Sequence, residues 1–375
     1  MRAGVARRDG AGRNAVAITG AGTINAAFAG GAEALGGWLA APRSCARPED
    51  GFRTPVARLA PDALGGLVDE HEARRLSRVC QLAVVAARLA LQDAALPRGA
   101  ELALIVGTEF GDLRSTMEFA DGYLSGGPTG LSALLFPNTV MNAMAAATSI
   151  AVAARGLSLT LVEPTVAGEL AVAQAAAAVA AGRAAAALAG GVDQVDPFLS
   201  RALDDLGAPA ITRGEGATFL VLEPLEAARA RGARVLGRIA GAAWRALPAR
   251  AHGVGRGAGP GAIAPALAAA GVEAASLGWL YGSANGDAAR DAWEDRMLAA
   301  TLRHRPPRAA LRPLLGDHAG AGALGVAAAA WTARAGRAPG AANATRGGIG
   351  PGLVHGVARG GAHVALVVAP AEEAA

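Results

Sequence analysis

The feature that most constrains this chain is an internal repeat. Residues 168–184 (GELAVAQAAAAVAAGRA) and 322–338 (GALGVAAAAWTARAGRA) keep one register over the whole window. Leu170 matches Leu324, Val172 matches Val326, and a terminal Gly-Arg-Ala closes both segments. Alanine matches carry little weight in so alanine-rich a chain, but the larger residues at a common spacing point to two homologous halves. Each half would supply a buried helix whose small residues let two sheet layers pack closely. The expected division is a basic tail over 1–14, an N-terminal half over 15–206 and a C-terminal half over 207–375. The join is placed at 207–214, where Gly, Pro and charged residues interrupt the apolar pattern.

A length of 375 residues, 52% of them hydrophobic, suffices for two such halves with substantial cores. Strand-like and helix-like segments alternate along the chain. Residues 15–19 look like a buried strand running into a tight turn at Gly20-Ala21-Gly22. The spacing for a nucleotide-binding loop is missing there, as is a following acidic residue. Over 70–95, Leu76, Val79, Cys80, Ala83, Ala87 and Leu91 share one helical stripe, which makes Cys80 a core residue. A strand at 102–106 ends in Gly107-Thr108, a helix is expected over 167–181 with Gly182 at its C-terminal cap, and a strand follows over 184–188. This alternation implies an α/β architecture with a largely parallel, doubly covered sheet.

Charge and cysteine content exclude several functions. All 35 basic residues are Arg, and the net charge of +4 is compatible with an acidic partner, but no basic run interleaved with aromatics suggests nucleic acid. Cys45 and Cys80 form neither a disulfide framework nor a metal motif. Arg2, Arg7, Arg8 and Arg13 interrupt the first fourteen residues, which argues against a cleaved signal peptide. The apolar stretch 170–188 is broken by Gln174, Gly182 and Arg183, making it a poor membrane span. The cytoplasm is therefore the expected location, with no membrane association.

Six strings in chain order carry a family resemblance. They are Gly107-Thr108; Phe136-Pro137-Asn138-Thr139-Val140-Met141-Asn142-Ala143-Met144; Gly190-Gly191-Val192-Asp193; Ser200-Arg201-Ala202-Leu203; Gly214-Glu215-Gly216-Ala217; and Leu222-Glu223-Pro224-Leu225-Glu226, leading into Arg229-Ala230-Arg231-Gly232-Ala233. Over residues 15–368 the chain resembles the β-ketoacyl synthases. The resemblance implies a duplicated thiolase-like five-layer αβαβα fold with two central mixed, mostly parallel sheets. No cofactor or metal is implied.

The resemblance breaks where the family's chemistry resides. The nucleophilic cysteine would stand three residues before Gly168, a position occupied by Thr165. A helix N-terminus stabilises a thiolate; a threonine hydroxyl needs a general base to attack at all. Thr165 beside Pro164 is read chiefly as a helix N-cap. Tyr281 or Ser283 takes the place of the first active-site histidine, depending on the alignment chosen, and Asp317 takes that of the second, with His318 one residue late. Arg312 replaces the usual lysine. Arg359 replaces the phenylalanine gate in a loop that runs to His363 and would pair with Glu163 or Asp317, plugging the pocket. The segment between Leu203 and Gly214 is shorter than in active members, which removes a covering loop. A hydrolytic Asp317-His318 arrangement lacks a nucleophile elbow.

Phe136, Met141 and Met144 are read either as tunnel-lining interface residues or as plain packing, and 157–162 as the strand that pairs across subunits. The resemblance thus implies a non-catalytic, chain-length-factor-like subunit. Its partners would be an active ketosynthase, as a heterodimer, and, mainly through that ketosynthase, an acyl carrier protein. The setting would be type II polyketide, aryl-polyene or fatty-acid-like biosynthesis. A divergent acyltransferase using Thr165 and a homodimeric acyl-binding scaffold are the alternatives.

Overall fold

The computed structural model describes residues 15–99, 101–257, 261–339 and 349–371; the expected basic tail lies outside them. Ten strands form one long path: β1 (Val16–Asn25), β2 (Leu102–Thr108), β3 (Ser158–Val162), β4 (Ala186–Asp193), β5 (Gly216–Pro224), β6 (Gly237–Ala246), β7 (Trp279–Gly282), β8 (Arg308–Ala310), β9 (Gly352–Val357) and β10 (Ala362–Ala369). Their spatial order is β8-β7-β9-β10-β6-β1-β5-β4-β2-β3. Read outward from the centre, both halves place their first strand innermost, then the fifth, fourth, second and third. The duplication seen in the central helices therefore extends to the entire strand topology.

The innermost strands of the two half-sheets meet where Val16, Ala17 and Ile18 pair antiparallel with Ile239, Arg238 and Gly237. Within each half only the outer pairings are parallel: β2 with β3 and β4, and β7 with β8 and β9. The inner pairings are antiparallel. The sheet is mixed, and its parallel share is smaller than expected, because the fifth strand of each half returns antiparallel between the first and the fourth. β5 belongs to the first half-sheet, so the join expected at 207–214 falls one strand early. The boundary that respects the pairing lies between Pro224 and Gly237.

Among the helices of the described residues are α1 (Arg78–Asp93), α2 (Leu113–Gly126), α3 (Ala143–Val152), α4 (Ala167–Ala180), α5 (Ile263–Ala270), α6 (Ala288–Thr301) and α7 (Ala319–Ala335). α1 and α3 pack outside the first half-sheet, α5 and α6 outside the second, and α4 and α7, the two repeat helices, lie against each other between the sheets. That gives five layers. Alternation along β5 shows how the sequence specifies them: Phe219 and Val221 enter the cluster under α1, while Leu220 and Leu222 face the central helices. α4 and α7 are buried on almost every side, and their predominance of Ala, Gly and Val lets them lie that close.

Gly20 and Gly22 are not in a turn. β1 runs straight through them with a bulge between Ile18 and Gly20, and a Cβ on Gly22 would stand 2.1 Å from the Ala90 nitrogen. These glycines let α1 lie close against the strand. Cys80 is buried in α1 as expected, and burial pushes its thiol pKa up to about 11.

Candidate functional site

Chain segments converge where the parallel strands of both halves end, the usual place for a site in an open α/β sheet. Thr165 stands two residues before α4, and Glu109 follows β2. Asp193 closes β4, Asn285 follows β7, and Asp317 and His318 lead into α7. Arg312 opens the short helical turn Arg312–Leu315.

Thr165 has φ +65°, and the Val166 N–H donates to the Pro164 carbonyl at 2.7 Å, so the residue is the centre of a left-handed γ-turn. For a β-branched residue this conformation costs about 1–3 kcal/mol. It persists because each polar group of Thr165 is tied to another segment. Its N–H donates to Glu109 Oε1 at 2.8 Å, its carbonyl accepts from Arg312 Nη2 at 2.5 Å, and its hydroxyl lies 3.4 Å from Asp317 Oδ2. The expected N-cap role does not hold. Val166 is the N-cap residue of α4, with no side-chain cap, and the Thr165 hydroxyl points to Asp317 instead.

Arg312 organises the site. Its Nη2 donates to Glu169 Oε1 at 2.6 Å, and its Nε stands 2.8 Å from Asp317 Oδ1. All three side chains are almost fully buried. Burial works against the guanidinium charge, but Glu169 and Asp317 outweigh it and raise the Arg312 pKa. Asp317 Oδ2 also accepts the Asn285 amide at 2.7 Å. Asp317 is thus ion-paired to Arg312 through Oδ1, which makes no hydrogen bond, and hydrogen-bonded to Asn285 through Oδ2; the cation beside it makes it a poor general base.

Around this pair lie two further carboxyls and an imidazole. Burial, then the charges of Asp317 and Asp193, hold Glu109 well above the usual carboxylate range. Burial lifts Asp193 to about 6 against several hydrogen bonds, among them the Thr108 hydroxyl and the Ala319 N–H. His318 is pushed down to about 4 by burial, with Arg312 adding to the effect and Asp317 opposing it. It is neutral at pH 7. Its Nδ1 accepts the Ala321 N–H at 3.2 Å, capping α7, which leaves the proton on Nε2, an atom with no hydrogen-bond partner. The cavity lined by Glu109, Asp193, Arg213, Asp317 and His318 measures about 10 Å³. That is room for a single water at most.

Other expected site residues lie elsewhere. Arg359 pairs with Asp287, at 2.7 Å for one of its two contacts, and reaches neither Glu163 nor Asp317. Glu163 is half-buried with its pKa raised by burial, outside the Arg312 network. His363 belongs to a separate buried chain. Its Nδ1 accepts the Ala262 N–H at 3.0 Å, its Nε2 lies 2.7 Å from His355 Nε2, and His355 Nδ1 lies 2.8 Å from Glu294 Oε1. Tyr281 hydrogen-bonds Thr332, and Ser283 hydrogen-bonds Glu294, so neither meets Thr165. Phe136 and Met141 are exposed, whereas Met144 is fully buried and is a packing residue.

Sequence reading missed Glu109, Glu169 and Asn285. Glu169 had a usable signal: the one charged residue in a helix that, Gln174 apart, is otherwise Ala, Gly, Val and Leu must, where buried, have a partner. No group of three or more His, Cys, Asp or Glu suited to a metal ion occurs among the described residues. No described helix is long and apolar enough to cross a membrane.

A duplicated five-layer chain with a left-handed elbow at the start of its first central helix defines a thiolase-like condensing-enzyme fold. The family model for the beta-ketoacyl synthase N-terminal domain matches residues 13–228, more than half of the chain. This chain belongs to the β-ketoacyl synthase family. It is 28% identical over 265 residues to 3-oxoacyl-[acyl-carrier-protein] synthase 2 of Synechocystis sp., covering 63% of each protein. It thus spans about three-fifths of that relative's length. Among solved structures, the ishigamide ketosynthase/chain length factor superposes with a TM-score of 0.84 at 24% identity, over 96% of this chain and 99% of that one. A type II polyketide synthase acyl-carrier protein in complex with its ketosynthase gives 0.78 at 17% identity, over 95% and 99%. At these identities the likeness establishes the fold.

Proposed function

We propose that this chain is a non-catalytic, chain-length-factor-like subunit that pairs with an active β-ketoacyl-acyl-carrier-protein synthase in type II polyketide or aryl-polyene biosynthesis. One observation carries the reading. The residue at the nucleophile position is a threonine whose N–H, carbonyl and hydroxyl are all taken up by Glu109, Arg312 and Asp317, beside a cavity of about 10 Å³. Nothing there can generate a thiolate, and the cavity alongside is too small for an acyl group.

An apolar face supports the pairing. β3 is the outer edge of its half-sheet, and Leu159 (37% exposed) and Val162 (46%) on it, with Ile150 (80%) on the adjoining α3, face solvent. An open edge flanked by large apolar side chains calls for a partner strand. The acyltransferase alternative has the left-handed presentation of Thr165 in its favour, but it requires a free base, and Asp317 is engaged.

Co-expression with a catalytically complete ketosynthase tests the proposal. A 1:1 complex is expected, with no acyl adduct on this chain by intact mass after exposure to acyl-carrier-protein thioesters. Leu159→Arg combined with Ile150→Glu should abolish co-purification while leaving the melting temperature of the isolated chain unchanged. An exclusively homodimeric protein, or one acylated at Thr165, would defeat it.

A further inference from the structure

The donor that a reacting carbonyl would use at this elbow is already occupied, by a side chain of the protein itself. When a nucleophile attacks an acyl carbon, charge develops on the acyl oxygen, and backbone N–H groups at the nucleophile, often including its own, stabilise that charge. Here the Thr165 N–H donates to Glu109 Oε1 at 2.8 Å. We infer that Glu109 is an internal plug of an acyl-carbonyl subsite on the Thr165 N–H, and that the subsite, once emptied, takes a short neutral carbonyl compound of the amide or thioester class.

Three features make Glu109 a built-in occupant of that subsite. Its side chain is only 3% exposed, and its backbone is fixed by its own N–H donating to Asp193 Oδ1 at 2.9 Å. Its second oxygen faces Arg213 at 3.8 Å, too far for a tight ion pair, so the carboxyl is not drawn away from Thr165. Burial with Asp317 and Asp193 nearby favours the protonated acid, whose carbonyl oxygen presents to the N–H the same acceptor as an amide or thioester. The neighbouring cavity of about 10 Å³ cannot hold such a group while the side chain is present. Removing the side chain deletes a propionic acid, leaving a space of matching shape against an unpaired donor.

This inference rests on reading Thr165 as the nucleophile position. Its test uses the full chain, together with any partner that co-purifies, carrying Thr165→Cys alone or combined with Glu109→Gly or Glu109→Gln. Iodoacetamide serves as a small carbonyl-bearing electrophile, and peptide mapping separates residue 165 from Cys45 and Cys80. Labelling at 165 should be roughly tenfold faster or more with Glu109→Gly than with Thr165→Cys alone, because the emptied subsite can hold the amide carbonyl with the iodomethyl carbon beside the thiol that displaces iodide. The Glu109→Gln combination, which keeps an amide oxygen in the subsite, should stay slow. Equal labelling with Glu109 in place, or a folded Glu109→Gly combination that remains unlabelled, overturns the plug.

Melting in propionamide gives an independent arm, since a ligand that binds only the folded state raises its stability by mass action. Glu109→Gly alone should gain thermal stability, and the wild type should not. Equal gains in both proteins overturn the inference. An acyl adduct on wild-type Thr165 would instead defeat the proposed function, so the two failures are distinguishable.

Discussion

Removing the Arg312 guanidinium probes the centre of the site most directly. Arg312, Glu169 and Asp317 have side-chain exposures of 4%, 2% and 2%, so Arg312→Met leaves two carboxylates and the Thr165 carbonyl without their common partner. Deleting one partner of a buried ion pair costs about 3–5 kcal/mol. Two acids share this guanidinium, and Asp317 keeps only neutral donors, the Asn285 amide and the more distant Thr165 hydroxyl, so the upper end applies, about 5 kcal/mol. That is a large fraction of a typical folding free energy of roughly 5–15 kcal/mol. Urea denaturation with linear extrapolation measures the loss. Adding Glu169→Gln and Asp317→Asn removes the stranded charges and should recover most of it, because the penalty lies in unpaired burial rather than in the pair's net worth. An Arg312→Met variant within about 1 kcal/mol of wild type, or a triple variant no better than the single, would refute the reasoning.

Other predictions address packing and protonation. Gly168→Ala would put a Cβ 2.0 Å from the Ala319 carbonyl oxygen between the two central helices, and should destabilise by about 3 kcal/mol, read by thermal melting. A variant that melts with the wild type would mean that α4 and α7 can separate without loss. For Glu109 the folded pKa is raised above its ordinary 4.5. Its contribution is therefore fully present below pH 4.5 and is lost as pH rises through the folded value. Glu109→Gln should accordingly gain on the wild type as pH increases above that point. Asp193, lifted to about 6, gives a fall between its ordinary 3.8 and 6 in both proteins. Parallel stability curves for the two proteins would show that Glu109 is not held protonated.

The layering of this fold was legible because it rests on what side chains exclude. A helix wedged between two sheets needs mostly small residues, and the twin stretches at 168–184 and 322–338 state this directly. Gly20 and Gly22 misled because a glycine needed for close helix approach looks, in sequence, like a glycine needed for a turn. Thr165 misled for a related reason: Pro-Thr-Val-Ala reads as a capped helix start, while its positive φ is imposed by contacts from Glu109, Arg312 and Asp317, which lie 56, 147 and 152 residues away. Arg359 is long enough to reach several acids, and only the folded loop selects Asp287. That residue 165 is a threonine could be read from the sequence; the network that holds it could not.

The position of β1 at the middle of the strand path sets a schedule for synthesis. Among the described residues, β1 pairs only with β5 and β6, which start at Gly216 and Gly237, apart from a two-residue hairpin with Ala29–Gly30. At about 5–20 residues per second, the ribosome delivers those neighbours roughly 10–40 s later. During that delay a ten-residue ribbon that is buried along its whole length in the finished molecule waits unsheltered. Nascent chains of this protein are therefore expected to depend on chaperones until the second half emerges, however stable the finished molecule is.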